Sequence, residues 1–369
     1  MKQNESFPYL ALLVVLLCAG MLVSLIHPSR TFSAAENREL QQRVMPWKAS
    51  LLDRSYQDAA SAFVSDQFPG REGWMQMRSD ILAALHDRRV EDVYIAEDDS
   101  LIQAFVPQMT LAAGQGQAVN EFAAEHADMD VSLLLAPTRI AFAEDTISRN
   151  PQEPLQQDVH AQLIDALDEQ VRAVDVWDAL RSHQQEAIYF RSDHHWTPLG
   201  AKYAAEVFLD QPLDAFTSVD AVSGFYGSLA RQIAWTHAQD DLQLQLPKEE
   251  TPYTVEDPSA GTTSTTLYAQ DSLSSADPYT VFFGGNAPLL RVDSALANGK
   301  RLLVIKDSYA NAFIPYLIPY YEEIVIVDPR YYYDDLDELI ESEEISETLF
   351  LFNMNTFCTD DSLQQMLGR

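Results

Sequence analysis

The sequence predicts an α/β protein with a mainly parallel sheet that helices cover on both faces. Short apolar runs typical of buried strands, such as 131–135 and 302–305, alternate with segments whose apolar residues recur at helical spacing. This alternation indicates a parallel sheet, because parallel neighbours need a long crossover connection that is usually a helix. Hydrophobic residues form 47% of the 369-residue chain, which supplies a large core and excludes a disordered protein.

The N-terminus contains an apolar run of 20 residues, 7–26, which matches the thickness of the hydrocarbon core of a bilayer. Lys2 precedes this run and the next basic residue is Arg30, which favours a cytoplasmic N-terminus. We therefore predict a single-pass membrane anchor over residues 1–30, with residues 31–369 outside the cytoplasm at the cell membrane. A cleaved signal peptide is the alternative, although a small-residue cleavage site at 33–35 would lie late for a run that ends at 26.

After the anchor, residues 51–63 have helical spacing and lead into a turn at 66–74 that is rich in structure-breaking residues. The stretch 214–293 interrupts the strand–helix alternation, because it is rich in Thr, Ser, Asp and Gly, and we interpret it as an irregular or β-rich insertion. The remaining predictions are strands at 131–135, 173–177, 302–305, 324–327 and 349–352, and helices at 159–171 and 335–340.

The chain is strongly acidic, with 24 basic and 56 acidic side chains and a net charge of -32. Nucleic acids are thereby excluded as partners, since their binding needs a basic surface, and simple adhesion to anionic membranes is disfavoured. Two cysteines, Cys18 and Cys358, provide neither a disulfide framework nor a structural zinc site. We predict no cofactor.

The densest polar cluster, residues 191–197, reads Arg-Ser-Asp-His-His-Trp-Thr. Thr197 followed by Pro198 is typical of a helix N-cap and first turn, so the cluster is predicted to lie in a loop before a helix. Three interpretations are open: Asp193 braces the turn, the cluster ligates a metal, or Asp193 orients His195 as a general base. We predict no metal site, because no second His/Asp cluster supplies the remaining ligands.

Ser308 is the best candidate for a nucleophile that such a base would activate. An apolar strand ends at Lys306, and a short helix bounded by Pro315 is predicted to start around Ser308. Ligands of open α/β sheets bind beyond the carboxyl ends of the strands, where the first amides of a helix stabilise an oxyanion. Taken alone, Ser308 is better explained as a helix N-cap, and its pairing with the Asp-x-His loop is what favours the catalytic interpretation.

A candidate oxyanion segment follows residues 279–283, which are predicted to form a strand. Gly284 and Gly285 would let the backbone approach a ligand closely, and the amide of Asn286 would donate to an oxyanion. An ordinary loop turn explains the same residues, as it does Asn353 and Asn355 after the last strand.

Asp193-His194-His195-Trp196 resembles the signature of the DHHW family of bacterial, mostly membrane-anchored proteins. This family is similar to the alginate O-acetyltransferases, which have an SGNH/GDSL-hydrolase-like fold and an Asp-x-His-Trp motif upstream of a nucleophilic serine. The resemblance therefore implies a three-layer SGNH-hydrolase-like domain. It extends over Asp-Gln-Phe-Pro at 66–69 with Arg71, and over 131–138, 283–286, 306–311 and 327–332.

The same resemblance assigns roles to individual residues. Asp193 would orient the imidazole, His195 would act as the base, and Ser308 would be the nucleophile. His194 fills the variable position of the motif. We keep it as a candidate for oxyanion or substrate binding together with three further residues, Gly285, Asn286 and Asn311.

Three functional hypotheses follow: an acyl-ester enzyme, a non-catalytic binding protein and a metal-dependent hydrolase. The first is an acyl-ester transferase or esterase, most simply an O-acetyltransferase or carbohydrate esterase, that acts on a cell-envelope polysaccharide. A transferase would need acetyl groups from across the membrane, so a membrane-bound acyltransferase is the expected partner. The alternative is a non-catalytic envelope protein that binds a glycan or a protein. Hydrogen-bond contact between Ser308 and His195 would favour the enzyme, whereas further carboxylates or histidines around His194 would favour a metal-dependent hydrolase.

Overall fold

The computed structural model describes most of the chain beyond the predicted anchor. The described residues are 11, 14–15, 20, 28–33, 36–44, 54–85, 88–143, 147, 154–249 and 251–368. The chain divides into two compact units, one of Met1–Arg88 with Ala230–Thr236 and one of Arg89–Leu229 with His237–Arg369. The predicted anchor lies almost wholly outside the described residues, and within them no helix is both long and apolar enough to cross a membrane. The anchor therefore stays a prediction.

The smaller unit contains a two-stranded sheet and a pair of helices. Its elements are β1 Phe32–Ser33, β2 Arg38–Glu39, α1 Ser55–Asp66 and α2 Arg71–Ala84. The turn predicted at 66–74 is shorter in the structure, since it occupies 67–70 and Arg71 already begins α2. Gly70 precedes α2 as its N-cap at a φ of +67°, a left-handed conformation that favours glycine. The Asp66 carboxylate fixes the end of α1, because it accepts from the Arg38 guanidinium and from the Gln41 amide at 2.8 Å.

The larger unit is built on one eight-stranded sheet with two smaller sheets. Its strands are β3 Arg89–Val90, β4 Val93–Ile95, β5 Leu101–Gln103, β6 Asp130–Ala136, β7 Val171–Ala173, β8 Phe216–Phe225, β9 Asp240–Pro247, β10 Tyr253–Asp257, β11 Thr262–Ser264, β12 Leu289–Ser294, β13 Arg301–Lys306, β14 Glu323–Val327 and β15 Glu347–Asn353. The order of the large sheet is β11-β10-β12-β14-β13-β15-β6-β7. Strands β14 to β7 in this order pair in parallel, and β12, β10 and β11 extend the β14 edge with antiparallel pairs. The predicted mainly parallel sheet is therefore confirmed.

Helices cover both faces of the parallel strands. They are α3 Met109–Glu125, α4 Gln156–Asp165, α5 Trp177–Ser182, α6 Pro198–Leu209, α8 Ala310–Phe313, α9 Leu336–Ser342, α10 Met354–Thr359 and α11 Ser362–Leu367. A further helix, α7 Ser228–Ile233, begins in the larger unit and continues into the segment that belongs to the smaller one. Successive side chains of β13 point to opposite faces, so Val304 packs in the core with α6 and α8, while Ile305 packs in the core with α3, α4 and α9 to α11. Burial on both faces explains the continuous apolar sequences of these strands.

The stretch 214–293 contains the antiparallel hairpin β8–β9, strands β10 and β11, and the start of β12. Its division from the rest of the chain stays a prediction, as does the boundary at residue 30.

Three local predictions are wrong. The helix predicted at 159–171 ends at Asp165, because a turn closed by the Val171 amide on the Asp168 carbonyl (2.9 Å) leads into β7. The strand predicted at 173–177 is that same short β7, and Trp177 already begins α5. Residues Pro278–Val281 form a 3-10 helix instead of a strand, and Pro278 at its start lacks the N–H that a sheet ladder requires.

Candidate active site

The candidate site lies in the larger unit, at the carboxyl end of β13. Ser308 follows this strand by two residues and precedes α8. The intervening Asp307 is fully buried and holds the turn: its carboxylate accepts from the Tyr309 amide at 2.8 Å and from the backbone and side-chain amides of Asn353 at 2.8 and 2.6 Å. Burial raises the pKa of Asp307. Asp307 therefore ties the end of β13 to the end of β15 and fixes the turn that carries half-buried Ser308.

The loop that carries the two histidines is braced from behind by buried polar groups. The Asp240 carboxylate accepts from the backbone amides of Arg191 and Ser192, at 2.6 and 2.7 Å. Gly227 passes so close to Asp193 that a Cβ atom on the glycine would lie 2.4 Å from the Asp193 Cβ. At the far end of the loop, Thr197 accepts from the Gly200 amide, which confirms the predicted N-cap of α6.

Two aromatic residues join this loop to the Ser308 turn. Trp196 is fully buried and donates from Nε1 to the Tyr309 carbonyl at 2.9 Å. The Tyr309 hydroxyl donates in return to the His194 carbonyl at 2.5 Å. Residues 113 positions apart in sequence are thus held in a fixed relation by reciprocal hydrogen bonds.

The structure brings Asp193, His195 and Ser308 into one chain of hydrogen bonds. Asp193 Oδ1 lies 2.6 Å from His195 Nδ1, and His195 Nε2 lies 2.8 Å from Ser308 Oγ. The second carboxylate oxygen of Asp193 accepts from the Ser228 amide at 2.7 Å. Asp193 and His195 are 3% and 6% exposed, while Ser308 is half-buried, so the hydroxyl is the accessible end of the chain. Such an arrangement can move a proton from the hydroxyl to the imidazole.

Asp193 and His194 differ in charge near pH 7. Burial by itself would raise the pKa of the Asp193 carboxyl, but the charge and hydrogen bond of His195, together with the Ser228 amide, hold it well below its ordinary value. Asp193 is therefore ionised. Burial and the adjacent His195 lower the pKa of His194 to about 4, so this imidazole is neutral near pH 7. His194 Nδ1 lies 2.6 Å from Ser228 Oγ, away from Ser308.

Tyr279 supports the imidazole from one face. Its ring stacks on that of His195 with 3.8 Å between centroids and 12° between planes. Its hydroxyl donates to the Ser308 carbonyl at 3.0 Å. Tyr279 therefore fixes both the base and the turn that bears the hydroxyl.

The predicted oxyanion segment lies against the end of β13. Phe283, Gly284 and Gly285 have φ values of 61°, 76° and 115°, and the last is accessible in practice only to glycine. Exposed Asn286 then turns its Oδ1 inward, where it accepts from Lys306 Nζ at 3.0 Å and from Asn311 Nδ2 at 3.1 Å.

Lys306 is a buried cation in a shared ion cluster. Its Nζ lies 3.6 Å from Asp328 Oδ2, and Arg330 forms a bidentate pair with the same carboxylate at 2.8 and 2.6 Å. Two cations thus share one carboxylate behind Asn286. Burial lowers the pKa of Lys306 to about 8, which leaves it mostly protonated at pH 7.

The metal interpretation finds three potential ligands, Asp193, His194 and His195, whose ligand atoms lie within 4.8 Å of one another. Both ring nitrogens of His195 and the Nδ1 of His194 already have hydrogen-bond partners. The contacts therefore fit a proton relay better than a metal centre.

Several residues that support the site were not predicted from the sequence. Ser228, Asp240 and Tyr279 reach the site from distant segments, and no motif in their own sequence marks them. Lys306 could have been singled out, because a lysine that ends an apolar strand must have a buried partner.

The fold and the site define an α/β protein in which a serine, a histidine and an aspartate are arranged as in serine hydrolases. Within that class, the chain belongs to the DHHW family, since the family model of the DHHW protein matches residues 93–327. The matched range contains Asp193, His195 and Ser308. The predicted family resemblance is confirmed.

Three solved structures are similar to this chain, and the first two share its fold. A DHHW family protein from Eubacterium siraeum DSM 15702 is 24% identical, with a TM-score of 0.65 over 75% of this chain and 95% of that chain. Bacillus cereus PatB1, solved with a sulfonyl adduct, is 17% identical, with a TM-score of 0.61 over 73% of this chain and 98% of that chain. The O-acetyltransferase domain of Pseudomonas putida AlgJ is 16% identical, with a TM-score of 0.45 over 75% of this chain and 98% of that chain. No curated protein sequence is significantly similar to the chain.

Proposed function

We propose that this protein is an extracytoplasmic acyl-ester transferase or esterase that acts on a cell-envelope glycan through Ser308, His195 and Asp193. The observation that carries the proposal is the hydrogen-bonded chain at His195, 2.8 Å from Nε2 to Ser308 Oγ and 2.6 Å from Nδ1 to Asp193 Oδ1. Because ionised Asp193 accepts the Nδ1 proton, Nε2 is the nitrogen that can accept the proton of the serine. A protein that only binds a glycan needs no such alignment, so the contact favours the enzyme over the binding alternative.

The reaction proceeds in two halves. Ser308 Oγ attacks the acyl carbonyl carbon of the donor ester while His195 Nε2 takes the hydroxyl proton. The tetrahedral intermediate then collapses, its bond to the leaving oxygen breaks, and the imidazolium returns the proton to that oxygen. In the second half, His195 takes a proton from a sugar hydroxyl or from water, whose oxygen attacks the carbonyl carbon of the acyl-serine. The bond from that carbon to Ser308 Oγ then breaks, and the imidazolium returns the proton to Oγ. The Asp193 carboxylate stabilises the imidazolium in both halves.

We propose that the side-chain amide of Asn286 and the backbone of Gly285 bind the oxyanion of the tetrahedral intermediate. Asn286 Oδ1 is occupied by Lys306 and Asn311, so the Nδ2 end is left to donate to substrate. A protonated lysine on the oxygen polarises the amide and strengthens its N–H groups as donors. Asn311 then acts mainly by holding Asn286, and its own buried Oδ1 has no hydrogen-bond partner among the described residues.

His194 is proposed as a neutral contact for the sugar. Its side chain is 31% exposed and its Nδ1 is engaged by Ser228. The remaining ring nitrogen offers a hydrogen bond without charge, which suits a hydroxyl-rich ligand.

The acyl group and the acceptor are proposed from the family resemblance. The Asp-x-His-Trp motif resembles that of the alginate O-acetyltransferases, which supports acetyl as the group transferred. A net charge of -32 would repel a polyanionic glycan, so a neutral envelope polysaccharide fits this chain better.

The apolar run at 7–26 supports attachment to the cell membrane with the site outside, and a membrane-bound acyltransferase is the expected supplier of acetyl groups.

The test is hydrolysis of p-nitrophenyl acetate by the purified full chain in detergent, compared with Ser308→Ala and His195→Ala. Both variants should lose turnover to near the uncatalysed rate, because one removes the nucleophile and the other its base. Equal rates in all three proteins would contradict the proposal.

The chain offers a matched control for each variant. His183 makes the same two kinds of contact as His195, with Nδ1 2.6 Å from a Glu186 carboxylate oxygen and a ring stacked 3.7 Å from Tyr203 at 12°, but its side chain is 37% exposed and has no contact with Ser308 among those of the described residues. His183→Ala should keep wild-type turnover. Ser346→Ala, at an exposed serine whose hydroxyl bonds only a backbone carbonyl, is the control for Ser308.

A further inference from the structure

Helix α2 of the smaller unit exposes an apolar stripe. Trp74, Met77, Ile81 and Leu85 are 58%, 43%, 48% and 69% exposed and follow one another at spacings of three, four and four residues. At helical periodicity these side chains lie on one face. The other exposed positions of this face are Gly73, Arg78 and Ala84.

The polar side chains of Ser79 and Gln76 lie on the opposite side of α2 from the stripe. Ser79 is buried and donates its hydroxyl to the Ile233 carbonyl at 2.6 Å, and Gln76 donates to Thr236 Oγ1 at 3.0 Å. Neighbouring α1 shows the usual arrangement, since most of its exposed positions are polar and Val64 is its one exposed large apolar side chain; the polar ones are Ser55, Gln57, Asp58, Ser61 and Ser65. The apolar stripe is therefore a property of α2 and not of the whole unit.

The smaller unit also differs in charge from the rest of the chain. Met1–Arg88 and Ala230–Thr236 contain 10 basic and 9 acidic side chains, a net charge of +1. Arg89–Leu229 and His237–Arg369 contain 14 basic and 47 acidic side chains, a net charge of -33. A membrane surface that carries anionic lipids would repel the larger unit but not the smaller one.

We propose that the α2 stripe lies in the interfacial region of the lipid bilayer, as a second membrane contact beside the predicted N-terminal anchor. Tryptophan favours the boundary between acyl chains and headgroups, and Met77, Ile81 and Leu85 would enter the acyl region. The near-neutral charge of the unit fits a zwitterionic lipid surface. The stripe begins 48 positions after residue 26, where the apolar run ends, so the anchor would hold α2 near the bilayer. The inference does not depend on the chemistry at Ser308.

The test uses the full chain in nanodiscs of phosphatidylcholine. Cys18 is replaced by Ser and buried Cys358 by Ala, and an environment-sensitive fluorophore is attached to a single cysteine at position 77 (Met77→Cys) or, as the matched control, at position 61 on the polar face of α1 (Ser61→Cys). The label at 77 should emit at shorter wavelength, resist iodide, and be quenched by phosphatidylcholine carrying a doxyl group on its acyl chain. The label at 61 should emit at longer wavelength, be quenched by iodide and be unaffected by the doxyl lipid.

Two results would overturn the inference. Iodide quenching at 77 equal to that at 61 would mean that the stripe faces water. Protection from iodide at 77 without quenching by doxyl lipid would mean that protein covers the stripe, either the apolar run 7–26 or a second copy of the chain. Circular dichroism spectra and thermal unfolding midpoints equal to those of the wild type in both labelled proteins would show that labelling left the fold intact.

Discussion

Asp193→Asn tests how the carboxylate controls the tautomer of His195. The carboxylate accepts from three N–H groups: His195 Nδ1 at 2.6 Å, the His195 amide at 3.0 Å and the Ser228 amide at 2.7 Å. Asparagine has one acceptor oxygen and one NH2 group. With its oxygen toward Ser228, the NH2 group would donate to Nδ1, and the imidazole proton would move to Nε2. Nε2 could then no longer accept the proton of Ser308.

The opposite orientation keeps the correct tautomer but sets the NH2 group against the Ser228 amide. The first orientation leaves the His195 amide unpaired in the same way, at about 1–3 kcal/mol in each case, so the two orientations compete and a large share of the enzyme carries the wrong tautomer. The imidazolium also loses its negative partner. We therefore expect kcat for p-nitrophenyl acetate to fall by about 10³- to 10⁴-fold, in line with the same change in other serine hydrolases.

Steady-state kinetics over pH 5–9 would measure this effect, with circular dichroism to check the fold. A loss of less than about tenfold in a folded protein would refute the reasoning, because the carboxylate would then not set the tautomer.

Three further changes follow from the contacts of the site. Asn286→Ala should lower kcat by about 10²- to 10³-fold with little change in KM, as expected for the loss of an oxyanion donor; an equal rise in KM would instead indicate a ground-state contact. Lys306→Met should change how the free energy of unfolding depends on pH. Burial lowers the pKa of Lys306 from 10.5 in the unfolded chain to about 8 in the folded protein. Between these two pH values the unfolded chain binds more protons than the folded one, so the wild type gains stability as pH rises. Urea unfolding should show the free energy of unfolding of the wild type rising relative to the variant from about pH 8 to 10.5, and a constant difference would contradict the burial of the cation. Gly227→Ala should lower the free energy of unfolding by about 1–3 kcal/mol and remove most of the activity, because its Cβ would lie 2.4 Å from that of Asp193. Gly116→Ala, with open space at its Cβ, should unfold at nearly the wild-type temperature, and thermal unfolding of both variants checks this prediction.

The sheet could be predicted because its strands carry their own signal. Buried on both faces, β6, β13, β14 and β15 are almost continuously apolar, and such runs are readable without knowledge of their neighbours. The short β7 at the sheet edge has only three residues, so its signal merged with that of the helix before it. Tyr279 was placed in a strand because its aromatic neighbours resemble one.

The site could be predicted only where it is local in sequence. The Asp-x-His spacing and the Thr-Pro helix start lie within 191–198, and Ser308 directly follows a recognisable strand. The groups that hold Asp193, His195 and Ser308 in place are distant in sequence. Asp240 and Ser228 approach from the β8–β9 region, and the role of Gly227 is visible only in its contact with Asp193. Side-chain orientation, such as that of Asn286 toward Lys306, is likewise a property of the folded chain.

The central claim is that the Ser308 hydroxyl becomes acylated, and the direct measurement is mass spectrometry of the acid-quenched enzyme after brief exposure to p-nitrophenyl acetate. We expect one acetyl group on the peptide that contains Ser308 in the wild type and none in His195→Ala. Turnover without an acetyl group at Ser308, or with one at another residue, would contradict the proposal.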